Sequence, residues 1–198
     1  MTFIETIPEE QASGVLAELY AEDRADDGYV WNGTRAFSHR PEVLAAWTRF
    51  VSSIAANLDQ RRYELATLAA ARRLRSSYCM LAHGSVVLSK EILGADELRA
   101  VALDHRSAGL DPADVAVMDL ADKVVDDAAS ITQEDIDAVR AAGLSDAEIL
   151  DVVLAAAARC FMSKVVDAVG ALPDHAYAER LEPGVREALT VGRPIAES

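Results

Sequence analysis

The sequence predicts an all-α protein, and three observations carry that prediction. Among 198 residues there are 37 alanines against 10 glycines, and alanine loses least on entering a helix. Apolar residues recur at steps of three and four, as in Val43, Leu44, Trp47, Phe50, Val51, Ile54 and Leu58, which sets them on one stripe of a helix. No stretch alternates apolar and polar residues between hairpin turns, so no sheet is read.

In order, the chain reads as helices over 8–23, 41–57, 60–75, 77–93, 96–105, 112–127, 133–142 and 146–170, then two short ones over 173–180 and 184–190. Pro8, Pro41 and Pro112 stand where a first-turn proline belongs, because that position has no use for an N–H and suits proline's fixed φ. Asp111 is placed to cap the helix that Pro112 begins. Residues 26–39, with Gly28, Asn32 and Gly33, read as a loop whose large Tyr29, Val30, Trp31 and Phe37 must fold back over something. Ser76 or Ser77 is a natural cap for helix 77–93. Ser145 with Glu148 makes a capping box before a long apolar-rich helix that ends near Gly170, and Thr132 with Asp135 repeats the signal. From Pro183 the tail is expected to pack on a neighbour or fray. The whole reads as one domain over 1–198: a core in 41–170, an N-terminal helix and loop in 1–40, and a C-terminal extension in 171–198.

The segment Glu64 to Arg72 echoes Asp151 to Arg159 at an offset of 87 residues. Either two alanine-rich helices align as such helices do, or a helical unit is duplicated. If it is duplicated, only the first copy carries chemistry, since Val166 and Gly170 stand where Cys79 and His83 stand.

Thirty-three acidic against 19 basic side chains give a net charge of −14. That argues against a nucleic-acid or anionic-membrane surface, both of which need a basic patch. The longest apolar run, Val152 to Ala158, falls far short of the roughly 20 residues that span a bilayer. The stretch Met1 to Glu5 has no basic region leading into an apolar one, so the expectation is a soluble, cytoplasmic protein. Cys79 and Cys160 are too few for a disulfide framework.

The chemistry concentrates in Ser76 to His83. Cys79 and His83 are four apart and share a helix face. With Ser76 or Ser77 as cap, Cys79 falls in the first turn, where free amides and the helix dipole favour a thiolate. A histidine one turn on can take the thiol proton. A buried cysteine beside a histidine bonded elsewhere fits the same pattern. Glu64, on the preceding helix, would fix the tautomer of His83 if the chain returns antiparallel; otherwise it is a surface charge paired with Arg61 or Arg72. Glu64, Cys79 and His83 show no fourth zinc ligand. With no phosphate-binding glycine loop or dinucleotide fingerprint either, no cofactor is expected.

The spacing of Glu64, eleven residues, Ser76, two residues, Cys79, three residues and His83 resembles the signature of the alkylhydroperoxidase D-like proteins of the carboxymuconolactone decarboxylase superfamily. There a cysteine stands at the place of Ser76. The segments Arg40 to Leu44, Leu58-Asp59, Asp114 to Ala121 and Gly143 to Leu150 are similar to the peroxidase-related branch, so the likeness runs from about Pro41 to Gly170. The resemblance implies an all-helical fold, homo-oligomers, and reduction of small hydroperoxides with electrons from an external thiol. It implies Cys79 as the attacking sulfur, with His83 and Glu64 as the proton relay. Ser76 departs from the family pattern and closes off a two-cysteine cycle; it can still cap the helix or hydrogen-bond Cys79. Turnover then needs a thiol from elsewhere. Cys160 reads as a buried, inert residue.

Tyr29, Trp31 and Tyr78 are expected to line an apolar substrate pocket beside Cys79, while Trp47 and Phe50 read as ordinary core. His39, His105 and His175 read as exposed or capping residues, and Asp122, Asp126 and Asp127 as a solvated helix face. Two other readings stay open: a redox-sensing or scaffolding oligomer whose cysteine does not turn over, and lactone or decarboxylase chemistry on His83 and Glu64 alone.

Overall fold

The computed structural model describes residues 2–197, and its regular elements are eleven α-helices with short 3-10 turns and no strand. The central helix is α4 (Gln60–Arg73), in which every residue from Tyr63 to Ala71 is buried. Its alanines at 66, 69, 70 and 71 let neighbours approach closely. Around it pack α5 (Ser77–Ser89), α7 (Pro112–Asp127) and α9 (Asp146–Ala168). The core is thus a helix sheathed by helices, built on small residues at the centre and leucine, valine and methionine outside them.

Local chemistry sets the helix starts. Asp111 Oδ1 accepts from the Asp114 amide at 2.8 Å, directly after which Pro112 opens α7. Thr132 with Asp135 and Ser145 with Glu148 form the two expected capping boxes, opening α8 (Gln133–Ala141) and α9. Pro41 opens α3 (Pro41–Ala55), which packs on α9.

The expected helix 8–23 is displaced. Pro8 leads only a 3-10 turn, Glu9–Gln11, and α1 spans Val15–Asp27. Between them Gly14 adopts φ +54°, which breaks the helix and which a residue with a Cβ resists. The expected loop 26–39 is shorter than read and contains α2 (Asn32–Ala36). Its first amides find partners from far along the chain: Asn32 N donates to Asp174 Oδ1 at 2.8 Å and Gly33 N to Tyr78 Oη at 2.8 Å. Val30 and Phe37 are buried, as their size required.

Over the described residues the tail packs on neighbouring helices rather than fraying. It continues from α10 (Ala176–Arg180) into α11 (Pro183–Leu189), which packs on α5 and α6 (Ala95–Asp104). Leu189 is fully buried against Gly84 of α5, where an added Cβ would stand 2.5 Å from Leu189 Cδ1. Gly192 N then donates to Ser77 Oγ at 2.7 Å, and Ala196 N to the Pro173 carbonyl at 2.8 Å.

His105 also differs from its expectation. It is only 2% exposed, and its Nε2 lies 2.8 Å from Asp119 Oδ1 across the turn into α7. His39 is exposed at a loop carbonyl, and His175 half-buried at the start of α10. Among the described residues no helix is long and apolar enough to cross a membrane.

Candidate active site

The turn after α4 reverses the chain, so α5 runs back along it and sets Glu64 against His83. Glu64 is 4% exposed, and its Oε2 lies 2.7 Å from His83 Nδ1. The arginines that could have claimed it are engaged elsewhere: Arg61 with Asp114 at 2.7 Å, Arg72 with the Leu103 carbonyl. Burial pushes the His83 imidazole below its ordinary range, and the positive field of Arg159 adds to that; the Glu64 carboxylate works in the opposite direction. A neutral ring that donates Nδ1–H to Glu64 keeps Nε2 free to accept a proton.

Cys79 sits at the third position of α5 and is 1% exposed. Two α9 residues, four apart and therefore on one face, reach its sulfur: Ser163 Oγ at 3.1 Å and Arg159 Nη1 at 3.7 Å. Ser76 does not take that role. Among the described residues its buried side chain has no hydrogen-bond partner, and it leaves the α5 amides uncapped.

Cys79, His83 and Arg159 all line one cavity of about 790 Å³. Its walls are largely apolar and include Trp31, Leu44, Trp47, Tyr78, Met162 and Leu181. Trp47 is therefore a wall residue rather than plain core, with the Arg159 guanidinium 5.6 Å from its ring, whereas Phe50 is half exposed on the outside. Tyr29 stands behind Trp31, ring centroids 4.8 Å apart, and is not part of the wall. Arg180 closes the rim, bonded to Asp27 at 2.9 Å with Trp31 beneath it.

Tyr78 turns its ring to the cavity but anchors its hydroxyl, which donates to Asp174 Oδ2 at 2.9 Å. Burial pushes the Asp174 carboxyl up to about 6, against the bonds from Asn32 and Tyr78 that favour its charged form. Cys160 is half-buried rather than buried, and partial burial pushes its thiol up. It follows Arg159 by one residue, about 100° around the helix, and is absent from the cavity wall.

Sequence reasoning missed Arg159, Ser163 and Asp174. The available signal was a charged residue standing in an alanine run, with a serine four residues on; without knowledge of what α9 faces, it reads as surface.

The sequence model of the carboxymuconolactone decarboxylase family matches residues 41–123. That segment holds Glu64, Ser76, Cys79 and His83. Over that stretch the chain is similar to the carboxymuconolactone decarboxylase family, and the fold is AhpD-like. An alkylhydroperoxidase AhpD core structure, an uncharacterized peroxidase-related protein from Ralstonia eutropha JMP134, superposes with a TM-score of 0.77 at 21% identity, covering 89% of this chain and 94% of that one. A peroxidase-related protein from Silicibacter sp. TM1040 gives 0.73 at 22% identity, covering 88% and 90%. A cysteine-to-alanine variant of the debrominase Bmp8, in complex with 2,3,4-tribromopyrrole, gives 0.70 at 14% identity, covering 93% and 94%. No curated protein sequence matches the chain. The family segment ends inside α7, so Arg159 and Ser163 lie beyond it.

Proposed function

We propose that the protein is a thiol-dependent peroxidase of small organic hydroperoxides, with Cys79 as nucleophile and Glu64–His83 as its proton relay. The observation that carries this reading is the His83–Glu64 bond of 2.7 Å, with His83 and Cys79 lining one cavity. His83 takes the thiol proton, and the thiolate attacks the terminal peroxide oxygen. The O–O bond breaks, Cys79 becomes a sulfenic acid, and the alkoxide leaves as an alcohol with that proton. Ser76 offers no thiol, so an external thiol condenses with the sulfenic acid, releasing water. A second external thiol then exchanges with the mixed disulfide and restores Cys79.

Intact-mass spectrometry after one equivalent of cumene hydroperoxide tests this. Dimedone should add once to wild type and to Cys160→Ser, and not at all to Cys79→Ser. Absence of the adduct from wild type would sink the reading. Steady-state peroxide loss with added dithiothreitol marks turnover; a single oxidation per chain would mark a sensor instead.

The aromatic wall of Trp31 and Trp47 and the likeness to a debrominase favour a second reading, thiol-dependent removal of halogen from an aromatic ring. Halide release from a brominated pyrrole by wild type, absent in Cys79→Ser, would select it. We also propose a homo-oligomer, since α3 and α9 leave Val43, Phe50 and Phe161 exposed. Light scattering of Phe50→Asp and Phe161→Asp against wild type reads the assembly directly.

A further inference from the structure

Arg159 is only 4% exposed, yet among the described residues its guanidinium forms no ion pair and its Nε has no hydrogen-bond partner. Far more exposed arginines, such as Arg61 and Arg180, hold a carboxylate each. Glu64, the buried carboxylate of this site, is engaged with His83. A guanidinium carries five N–H donors in a fixed fork that matches a carboxylate, and leaving such a cation buried without an anion is costly. It lies beside the Trp47 ring, 5.6 Å from its centroid, which fixes the guanidinium beside a flat apolar wall. The cavity that it lines, about 790 Å³, is of the size that takes a small organic molecule.

We propose that Arg159 is the anion receptor of this cavity, and that its ligands are apolar, aryl-type monocarboxylates. The carboxylate lies on the guanidinium and the body lies along Trp47, Leu44 and Met162. The 3.7 Å between Arg159 Nη1 and Cys79 Sγ sets a further condition. A group on which Cys79 acts must lie within a bond or two of the carboxylate, so a charge at the far end of a long chain does not fit. That condition rests on Cys79 being the reacting group, as proposed above; the receptor itself does not.

Calorimetric binding of 2-naphthoate and its neutral isostere 2-naphthamide tests the receptor, on wild type and on Cys79→Ser so that the sulfur plays no part in the comparison. Naphthoate should bind at least tenfold tighter than the amide to both proteins. Arg159→Met should lose that preference by weakening naphthoate at least tenfold while leaving the amide unchanged, and Arg159→Lys should keep part of it. Removing a buried unpaired cation should leave thermal stability equal or higher; should the Met variant not fold, the Lys variant and the wild-type acid–amide pair still decide. Equal binding of acid and amide, no binding of either, or a preference that survives Arg159→Met would overturn the proposal. Dimedone labelling is independent of this readout. Its failure with the naphthoate preference intact would end the peroxidase reading alone, and the reverse result would end the receptor alone.

Discussion

His83 shows how opposing fields meet on one ring. Burial and Arg159 lower its proton affinity, and Glu64 raises it. A group pushed down from 6.5 stays neutral to lower pH than free histidine, so its base form persists as solution acidifies. An NMR titration of the His83 ring should therefore place its midpoint below 6.5. Glu64→Gln removes the raising influence and should move the midpoint further down; Arg159→Met removes a lowering one and should move it up. Shifts in the same direction for both variants would contradict the arrangement. Glu64, Cys79 and His83 were legible as candidates because Cys79 and His83 share one helix face four residues apart and Glu64 lies on the helix just before, needing only an antiparallel return to meet His83. Arg159 and Ser163 were not, because they reach Cys79 from α9 some eighty residues later, and no local period records a long-range face.

The helices themselves were legible for the same reason, since caps and prolines act within one turn. Asp111, Thr132 and Ser145 each cap as their spacing requires. Ser145→Ala should cost about 1 kcal/mol in chemical denaturation, the usual loss of an N-cap. What the sequence concealed was an element stabilised from afar: the start of α2 depends on Asp174. The short helix read over 184–190 is α11, opened by Pro183 and held by burial of Leu189 against Gly84. Leu189→Ala should therefore destabilise by about 2–5 kcal/mol. Leu103→Ala, at a position 62% exposed, should stay within about 0.5 kcal/mol. Equal losses at the two sites would mean that α11 is not part of the cooperative fold.

Across the molecule, Asp174 joins distant parts of the chain, holding Asn32 on one side and Tyr78 on the other. Its carboxyl titrates at about 6 in the folded protein, against an ordinary 3.8. Between those values the folded state binds the extra proton, so this group's contribution to stability falls as pH rises. Relative to Asp174→Asn, wild type should lose stability on going from pH 4 to pH 7, by an amount on the order of 2–3 kcal/mol. Denaturant midpoints for the pair across that range read it, and a difference independent of pH would refute it. The same linkage has a consequence during synthesis. The rim over Cys79 needs residues 174–180, which leave the ribosome about a hundred residues after the cysteine does. At roughly 5–20 residues per second, the nascent Cys79 waits on the order of 5–20 s before its cover exists, a window in which its sulfur meets the cell unshielded.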